Sequence, residues 1–364
     1  MPDSPIYVAK PYLPERQVLE KYINEIYATN RLTNNGPLVK KLEERLKDFL
    51  GVRNVIPVAN GTLALQVAYK ALSLKSSAIT TPYSFVATTS SLVWENINPV
   101  FADIHPKRLT IDPQKIKESL SNGVSGIIPV HVYGNPCDVT QIQELAQKNS
   151  LNVIYDAAHA FGVRYAGRSL LSYGDISVLS FHATKLFHTI EGGALITDND
   201  ELATKIRLMI NFGIAGYEDI RDVGINAKMN EFEAAMGLAL LDNIGSILEA
   251  YRRNWRRYWE ELQDIVEFPE LAPNTEWNYS YVPVLFADEA QLLKVMSALN
   301  RENIYPRRYF YPSLDTLSYL LPQRPCTVSR NISSRVLCLP TFFDMAEKDI
   351  SSITSIIKRV VKDV

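Results

Sequence analysis

Two periods of apolar spacing share the stretch from about residue 50 to 200. Short runs rich in β-branched residues predict strands over Val55–Ala59, Ala78–Thr81, Val100–Asp103, Gly126–His131, Val153–Asp156, Ile176–Ser180 and Ala194–Thr197. Amphipathic segments such as Thr62–Leu74 and Val139–Lys148 lie between most of them. Strands that alternate with helices predict an α/β architecture, a mostly parallel seven-stranded sheet covered on both faces. Ligands in such sheets bind beyond the carboxyl ends of the strands, so chemistry is expected just after these runs.

Helical patterns precede the block at Pro14–Thr29 and Leu38–Leu50, separated by the break Thr33-Asn-Asn-Gly-Pro37. After it, Met229 to Asp264 reads as a long helix with an interruption near Gly245. One strand-like run (Tyr279–Phe286) and two amphipathic helices (Glu289–Asn300 and Ala346–Val361) follow, with proline-rich connections. The change of composition divides the chain into a large domain over 1–245, with its N-terminal helical segment, and a smaller α+β domain over 246–364.

The 364 residues are 46% hydrophobic, enough for a large core, and the formal net charge is -2. That balance gives no footprint for nucleic acid. Arg252, Arg253, Arg256 and Arg257 alternate with Tyr251, Trp255, Tyr258 and Trp259, which reads as a solvated helix face beside a packed one. Three cysteines without metal-ligand spacing fit a reducing cytoplasm. The N-terminus shows neither a basic start nor an apolar run, and no stretch approaches the ~20 apolar residues of a membrane span.

Candidate chemistry concentrates after the strands. Lys185, in Ser180-Phe-His-Ala-Thr-Lys185, sits in a loop between two core strands, where partial dehydration would make its amine a nucleophile for carbonyls. Asp156 ends the strand Val153–Asp156 and is followed by Ala157-Ala-His159; a helix N-cap is the plain alternative reading. An acid for a pyridinium nitrogen and a lysine for an aldehyde are the two groups that pyridoxal 5'-phosphate requires. A phosphate site is offered by Asn60-Gly-Thr62, which opens a helix straight after a strand, although the same tripeptide also makes a plain turn and cap. Phe85, in Thr81-Pro-Tyr-Ser-Phe85, is a candidate for stacking on a flat ring or for ordinary core packing. No Gly-x-x-x-x-Gly-Lys or Gly-x-Gly-x-x-Gly is present, which argues against nucleotide hydrolysis and dinucleotide binding. His131, His159, His182 and His188 form no zinc pattern, and no metal is expected.

Taken in order, Leu32-Thr-Asn-Asn-Gly-Pro37, Asn60-Gly-Thr62, Thr81 to Thr88, Val130-His-Val-Tyr-Gly-Asn-Pro136, Asp156-Ala-Ala-His159, Ser180 to Lys185, Glu191-Gly-Gly193 and Gly224-Ile-Asn-Ala-Lys-Met229 resemble the nucleotide-sugar aminotransferases of the DegT/StrS group, a branch of the fold-type I pyridoxal-phosphate enzymes. The resemblance covers nearly the whole chain. It implies that Lys185 forms the Schiff base with the cofactor and later shuttles a proton, and that Asp156 partners the ring nitrogen. It places His159 near the ring hydroxyl, Phe85 on the ring, and Gly61, Thr62 and Ser180 on the phosphate. Asn226 would reach the cofactor of a neighbouring subunit, making a homodimer with shared active sites. Thr33, His182, Arg307 and Arg308 are the candidate substrate contacts, with Arg31 a further one. Arg307 and Arg308, in Tyr305-Pro-Arg-Arg-Tyr-Phe-Tyr-Pro312, suit bidentate phosphate contact, and a surface or interface loop reads equally well.

The related sugar 3-dehydratases carry His in place of this lysine, so Lys185 favours transamination. The pattern around it resembles enzymes that act at C4, whereas C3 enzymes more often show Ser-Phe-Tyr-Pro before the lysine and Gly-Asp-Gly-Gly after it. The resemblance therefore implies transfer from L-glutamate to C4 of dTDP-4-keto-6-deoxy-D-glucose, in the cytoplasm, for a glycan such as lipopolysaccharide O-antigen or for an antibiotic sugar. A C3 or UDP-sugar enzyme of the same group, and a cofactor-bearing regulatory protein without turnover, are the alternatives.

Overall fold

The computed structural model describes residues 4–321 and 323–362; Met1–Asp3, part of the N-terminal stretch discussed above, lie outside them. The seven apolar runs form one sheet of strands β1 (Asn54–Val58), β2 (Ser77–Thr80), β3 (Asn98–Phe101), β4 (Val124–Ile128), β5 (Asn152–Asp156), β6 (Ile176–Ser180) and β7 (Gly193–Thr197). Their order is β1-β7-β6-β5-β4-β2-β3, with β7 alone running against its neighbours β1 and β6. Six strands begin ahead of the apolar runs: Asn54, Ser77, Asn98, Val124 and Asn152 enter the ladder through their backbones at the partly buried edge, and β7 starts one residue early at the buried Gly193. Strand β4 stops at Ile128 because Pro129 has no N–H for the ladder.

Both faces of the sheet are dry, so consecutive residues serve different cores. Val55, Ile79, Ile127, Val153 and Leu179 join one apolar cluster, while Ile56, Ala78, Ile128, Ile154 and Val178 join another. The first cluster is covered by α1 (Arg16–Thr29), α2 (Pro37–Leu50), α6 (Val139–Asn149) and α8 (Glu231–Leu241), and the second by α3 (Gly61–Ala71), α4 (Val86–Trp94) and α7 (Asp200–Met209); α5 (Pro113–Ser119) packs beside α6.

The expected helix from Met229 to Asp264 is corrected to two, α8 and α9 (Ile244–Leu262), broken at Asp242 and Asn243 rather than at Gly245. Helix α8 starts on a capping box, with Asn230 and Glu233 each accepting from the other's backbone N–H. Its buried Glu231 reaches across to α2 and accepts from Leu38 N (2.8 Å) and Val39 N (2.9 Å). That carboxylate explains Gly36: a Cβ there would lie 2.6 Å from Glu231 Cδ.

Along α9, Ile247 and Tyr251 belong to the first core, and Tyr258 and Leu262 to a separate C-terminal one. The latter gathers α10 (Glu289–Arg301), α12 (Glu347–Lys362) and the antiparallel pair β8 (Val282–Leu285) and β9 (Val336–Leu339). Strand β9 and helix α11 (Thr327–Arg335) had no counterpart in the sequence reading. Helix α11 is polar and takes its cap from far away, since Asp103 accepts from Val328 N (2.9 Å) and Ser329 N (2.8 Å). Among the described residues no helix is long and apolar enough to cross a membrane.

Candidate active site

The carboxyl ends of β1, β2, β5 and β6 open on one cavity of about 300 Å³, closed on its other side by residues 280–281, 307–310 and 338–341. Lys185, Asp156, His159, Gly61, Thr62, Ser180, Phe85, His182 and Arg307 all line it.

Asp156 is buried where β5 ends, with Val178 O of β6 taking Ala157 N (2.9 Å). Its carboxylate accepts from Thr88 Oγ1 (2.7 Å) and from Ala158 N (3.1 Å). Burial nevertheless holds its pKa above the ordinary carboxyl value, against the opposing effects of Thr88, Ala158 and Lys185. A cationic N–H arriving in the cavity would relieve that penalty.

The loop bearing Lys185 is closed by Phe181 N to Gly192 O (2.8 Å) and Thr189 N to Phe181 O (2.9 Å). Lys185 Nζ donates to Tyr281 Oη at 3.1 Å. Burial pushes the lysine pKa down from 10.5 to about 8, with the Asp156 carboxylate pulling the other way. The neutral amine that a nucleophile or base requires is therefore far more accessible near neutral pH than for an ordinary lysine, though the ammonium still predominates.

His159 accepts from Tyr133 N at Nδ1 (3.1 Å), so the neutral ring carries its proton on Nε2. Burial, and next the nearby Lys185 charge, hold its pKa well below the usual value. The ring lies nearly parallel to those of Phe310 (centroids 5.6 Å apart) and Tyr133 (6.4 Å).

At the start of α3, Asn60 Oδ1 accepts from Leu63 N (2.8 Å), leaving the N–H groups of Gly61 and Thr62 without intrahelical acceptors. A Cβ on Gly61 would stand 3.0 Å from Ser180 Cβ, and one on Gly193 would stand 2.8 Å from Asn60 C and Gly61 N. The two glycines let β6, β7 and the helix start close around a small anion. Donors for a phosphate, a buried acceptor for a ring nitrogen, a depressed lysine and the half-exposed face of Phe85 in one cavity are a donor set that fits pyridoxal phosphate.

Other candidates are placed differently. His182 pairs with Thr184 Oγ1 (2.8 Å) and lies 3.7 Å from Glu191 at the rim. Arg307 has no ion-pair partner among the described residues and lies over the Tyr309 ring at 5.0 Å. Arg308, expected beside it, is turned out of the cavity onto Glu289 (2.7 Å), Ser333 O and Ser334 O. The backbone of Arg307 pairs with Cys338, and successive side chains of such an extended segment point to opposite sides. Thr33 and Arg31 are exposed and do not line this cavity. Asn226 is likewise exposed and off the cavity of its own chain, beside a hairpin (Ile214–Gly216 with Asp219–Ile220) whose Tyr217 and Ile220 stand in solvent. Sequence reasoning assigned no role to Thr88, Tyr281 or Phe310; Tyr309 lay in the segment Tyr305–Pro312, whose tyrosines suit stacking. Thr88 closed a quoted motif without a role of its own.

A family model described as the DegT/DnrJ/EryC1/StrS aminotransferase family matches residues 15–358. A dTDP-4-amino-4,6-dideoxy-D-glucose transaminase of Shigella dysenteriae is 42% identical over 365 aligned residues, covering 98% of this chain and 100% of that protein. A protein of the same name from Escherichia coli is 37% identical over 98% of this chain and 99% of its own length. Among solved structures, DesI in the presence of its TDP-sugar product superposes with a TM-score of 0.94 and 34% identity, covering 99% of this chain and 93% of that one.

Proposed function

Because the chain belongs to the DegT/DnrJ/EryC1/StrS aminotransferase family and is a pyridoxal-phosphate-dependent sugar aminotransferase, we propose that it moves the amino group of L-glutamate to C4 of dTDP-4-keto-6-deoxy-D-glucose. The products are dTDP-4-amino-4,6-dideoxy-D-glucose and 2-oxoglutarate. The observation that carries the chemistry is the convergence of Lys185, Asp156 and the start of α3 on one cavity. The choice of sugar rests on full-length similarity to two transaminases named for that product.

Bound pyridoxal phosphate supplies an aldehyde carbon for amine exchange and a ring that takes up electron density. Gly61 N, Thr62 N and Ser180 Oγ hold its phosphate. Asp156 keeps a proton on its ring nitrogen, and Thr88 keeps the carboxylate oriented. His159 offers Nε2–H to the ring hydroxyl, and Phe85 covers one face. Lys185 would hold the aldehyde carbon at rest; its freed amine would take a proton from Cα of the donor and, in the second half-reaction, deliver one at C4 of the sugar. Arg307 takes the nucleotide's phosphates, with His182 a substrate contact at the rim.

We read the working unit as a homodimer in which Asn226 completes the partner's site. The solvent-facing apolar side chains Tyr217, Ile220 and Val223 next to it support this reading. The division into 1–245 and 246–364 is supported by the separate C-terminal core. The deciding experiment is a glutamate-coupled assay over dTDP- and UDP-keto sugars, with NMR of the product. A 4-amino dTDP sugar is expected; an amine at C3, or preference for UDP, overturns the substrate assignment.

A further inference from the structure

Tyr281 stands 96 residues from Lys185 in the chain, and its hydroxyl oxygen lies 3.1 Å from Nζ. The phenol is held rigidly. Asn278 ties its segment to the floor of the site by donating from Nδ2 to His159 O (2.9 Å) and Phe161 O (3.0 Å). Asn278 Oδ1 in turn accepts from Ser280 N (3.2 Å) and Ser280 Oγ (2.9 Å). The Tyr281 ring packs on His159 (4.4 Å between centroids), on Tyr133 (5.6 Å) and at a steep angle on Tyr309 (6.0 Å). A ring fixed on three sides leaves its hydroxyl one position, and that position is at the lysine.

We propose that Tyr281 is the positioning residue for Lys185, its hydroxyl holding the amine at one place in the cavity in both protonation states. A carboxylate there would accept only from the ammonium. A hydroxyl accepts from an ammonium and donates to a free amine, so the contact survives as the lysine gains and loses its proton. The phenol is suited to this because burial holds it protonated well above its ordinary range. The remaining titratable groups on the cavity are Asp156, which favours the ammonium, His159, which is neutral, Tyr251, Tyr309 and Cys338, which burial keeps protonated, and His182, Glu191 and Arg307. Among the described residues, none of them hydrogen-bonds Nζ.

The inference rests on the reading of Lys185 as the reactive lysine, and Tyr281→Phe tests it while keeping the ring packed. In the cofactor-free protein, trace acetylation with acetic anhydride across pH, read by mass spectrometry of the Lys185 peptide, gives the titration of that amine. Removing the hydroxyl takes an acceptor from a buried ammonium, so the variant's titration is expected at lower pH than wild type. In the loaded enzyme, kcat is expected to fall about 10- to 100-fold with KM for glutamate little changed, as a misplaced proton carrier would give. A titration and a kcat both unmoved overturn the proposal. Borohydride reduction followed by peptide mapping separates the two levels. A wild-type protein whose cofactor mass is not on Lys185 removes the reading of that lysine and this inference with it. Cofactor mass on Lys185 with titration and kcat both unmoved in Tyr281→Phe removes the inference alone.

Discussion

On the sheet side of the cavity the side chains of Asp156 and Asn60 already have protein partners: Asp156 receives Thr88 and Ala158, and Asn60 holds Leu63. On the C-terminal side, Arg307 has no carboxylate partner and Thr341 Oγ1 has no hydrogen-bond partner among the described residues, amid the rings of Tyr281, Tyr309 and Phe310. The first wall is built like a reaction centre, with its groups fixed before anything binds. The second leaves donors and aromatic faces to be satisfied by a ligand, as a recognition surface does. Chemistry and selectivity are thus assigned to different stretches of one chain. Tyr281 apart, whose hydroxyl serves Lys185, substitutions on the two walls should divide accordingly between kcat and KM.

The largest effects are expected on the sheet side. Lys185→Ala should lower transamination by about 10⁴-fold, since it removes both the nucleophile and the proton carrier, and the purified variant should lack the visible absorption of wild type. Asp156→Asn comes next, with the fold kept and turnover down about 10²- to 10³-fold, because a neutral amide does not hold a proton on the ring nitrogen. Single-turnover kinetics with glutamate alone check both, because the first half-reaction does not involve the nucleotide sugar. Near-normal rates in Asp156→Asn would dissolve the distinction between the walls.

Across the cavity, Arg307→Ala should raise KM for the nucleotide sugar about 10- to 100-fold and leave the glutamate half-reaction near wild type. Arg308→Ala is the internal control. It breaks the pairing with Glu289 and two backbone carbonyls, so it should cost stability in a denaturant melt without that rise in KM. A KM that rises equally in both variants would show that orientation does not matter here.

The neighbouring arginines also show where sequence reasoning stops. Asp156 and Ser180 were legible because strand ends in a buried parallel sheet are marked by where apolar runs stop, and Lys185 because its loop joins two such strands. Arg307 and Arg308 look alike in sequence; the backbone bridge to Cys338 decides which one faces inward. Thr88 closes the motif that begins at Thr81 without any local sign of a role, and only the hydrogen bond it makes in the fold turns it into a partner of Asp156. Tyr281 meets its lysine through a contact that no local pattern encodes. Helix α11 went unread for the same reason, its cap lying on Asp103. What is periodic or adjacent along the chain was readable; what depends on two distant segments meeting was not.

The smallest expected effect concerns the sheet side without its cofactor. In the unfolded chain Lys185 titrates at its ordinary value of 10.5, and in the folded cavity at about 8. Between those values the unfolded chain binds more protons, so this group makes the apoprotein more stable as pH rises through the window, and its penalty is fully present below pH 8. Lys185→Met, apolar and of similar length, removes the penalty. At pH 7 the apo variant should be more stable than apo wild type by about 1–2 kcal/mol, less than complete dehydration would give because the amine keeps the Tyr281 bond and opens on the cavity. The gap should close as pH rises from 8 to 10.5. Lys228, also pushed down by burial, titrates in both proteins and cancels from the difference, and His159 is neutral throughout the window. Urea melts of the two apoproteins at several pH values check this. Equal stability at pH 7, or a gap that persists at pH 10.5, would mean that the folded cavity does not depress this lysine, and the sheet side would lose its claim to a reaction centre prepared before the cofactor binds.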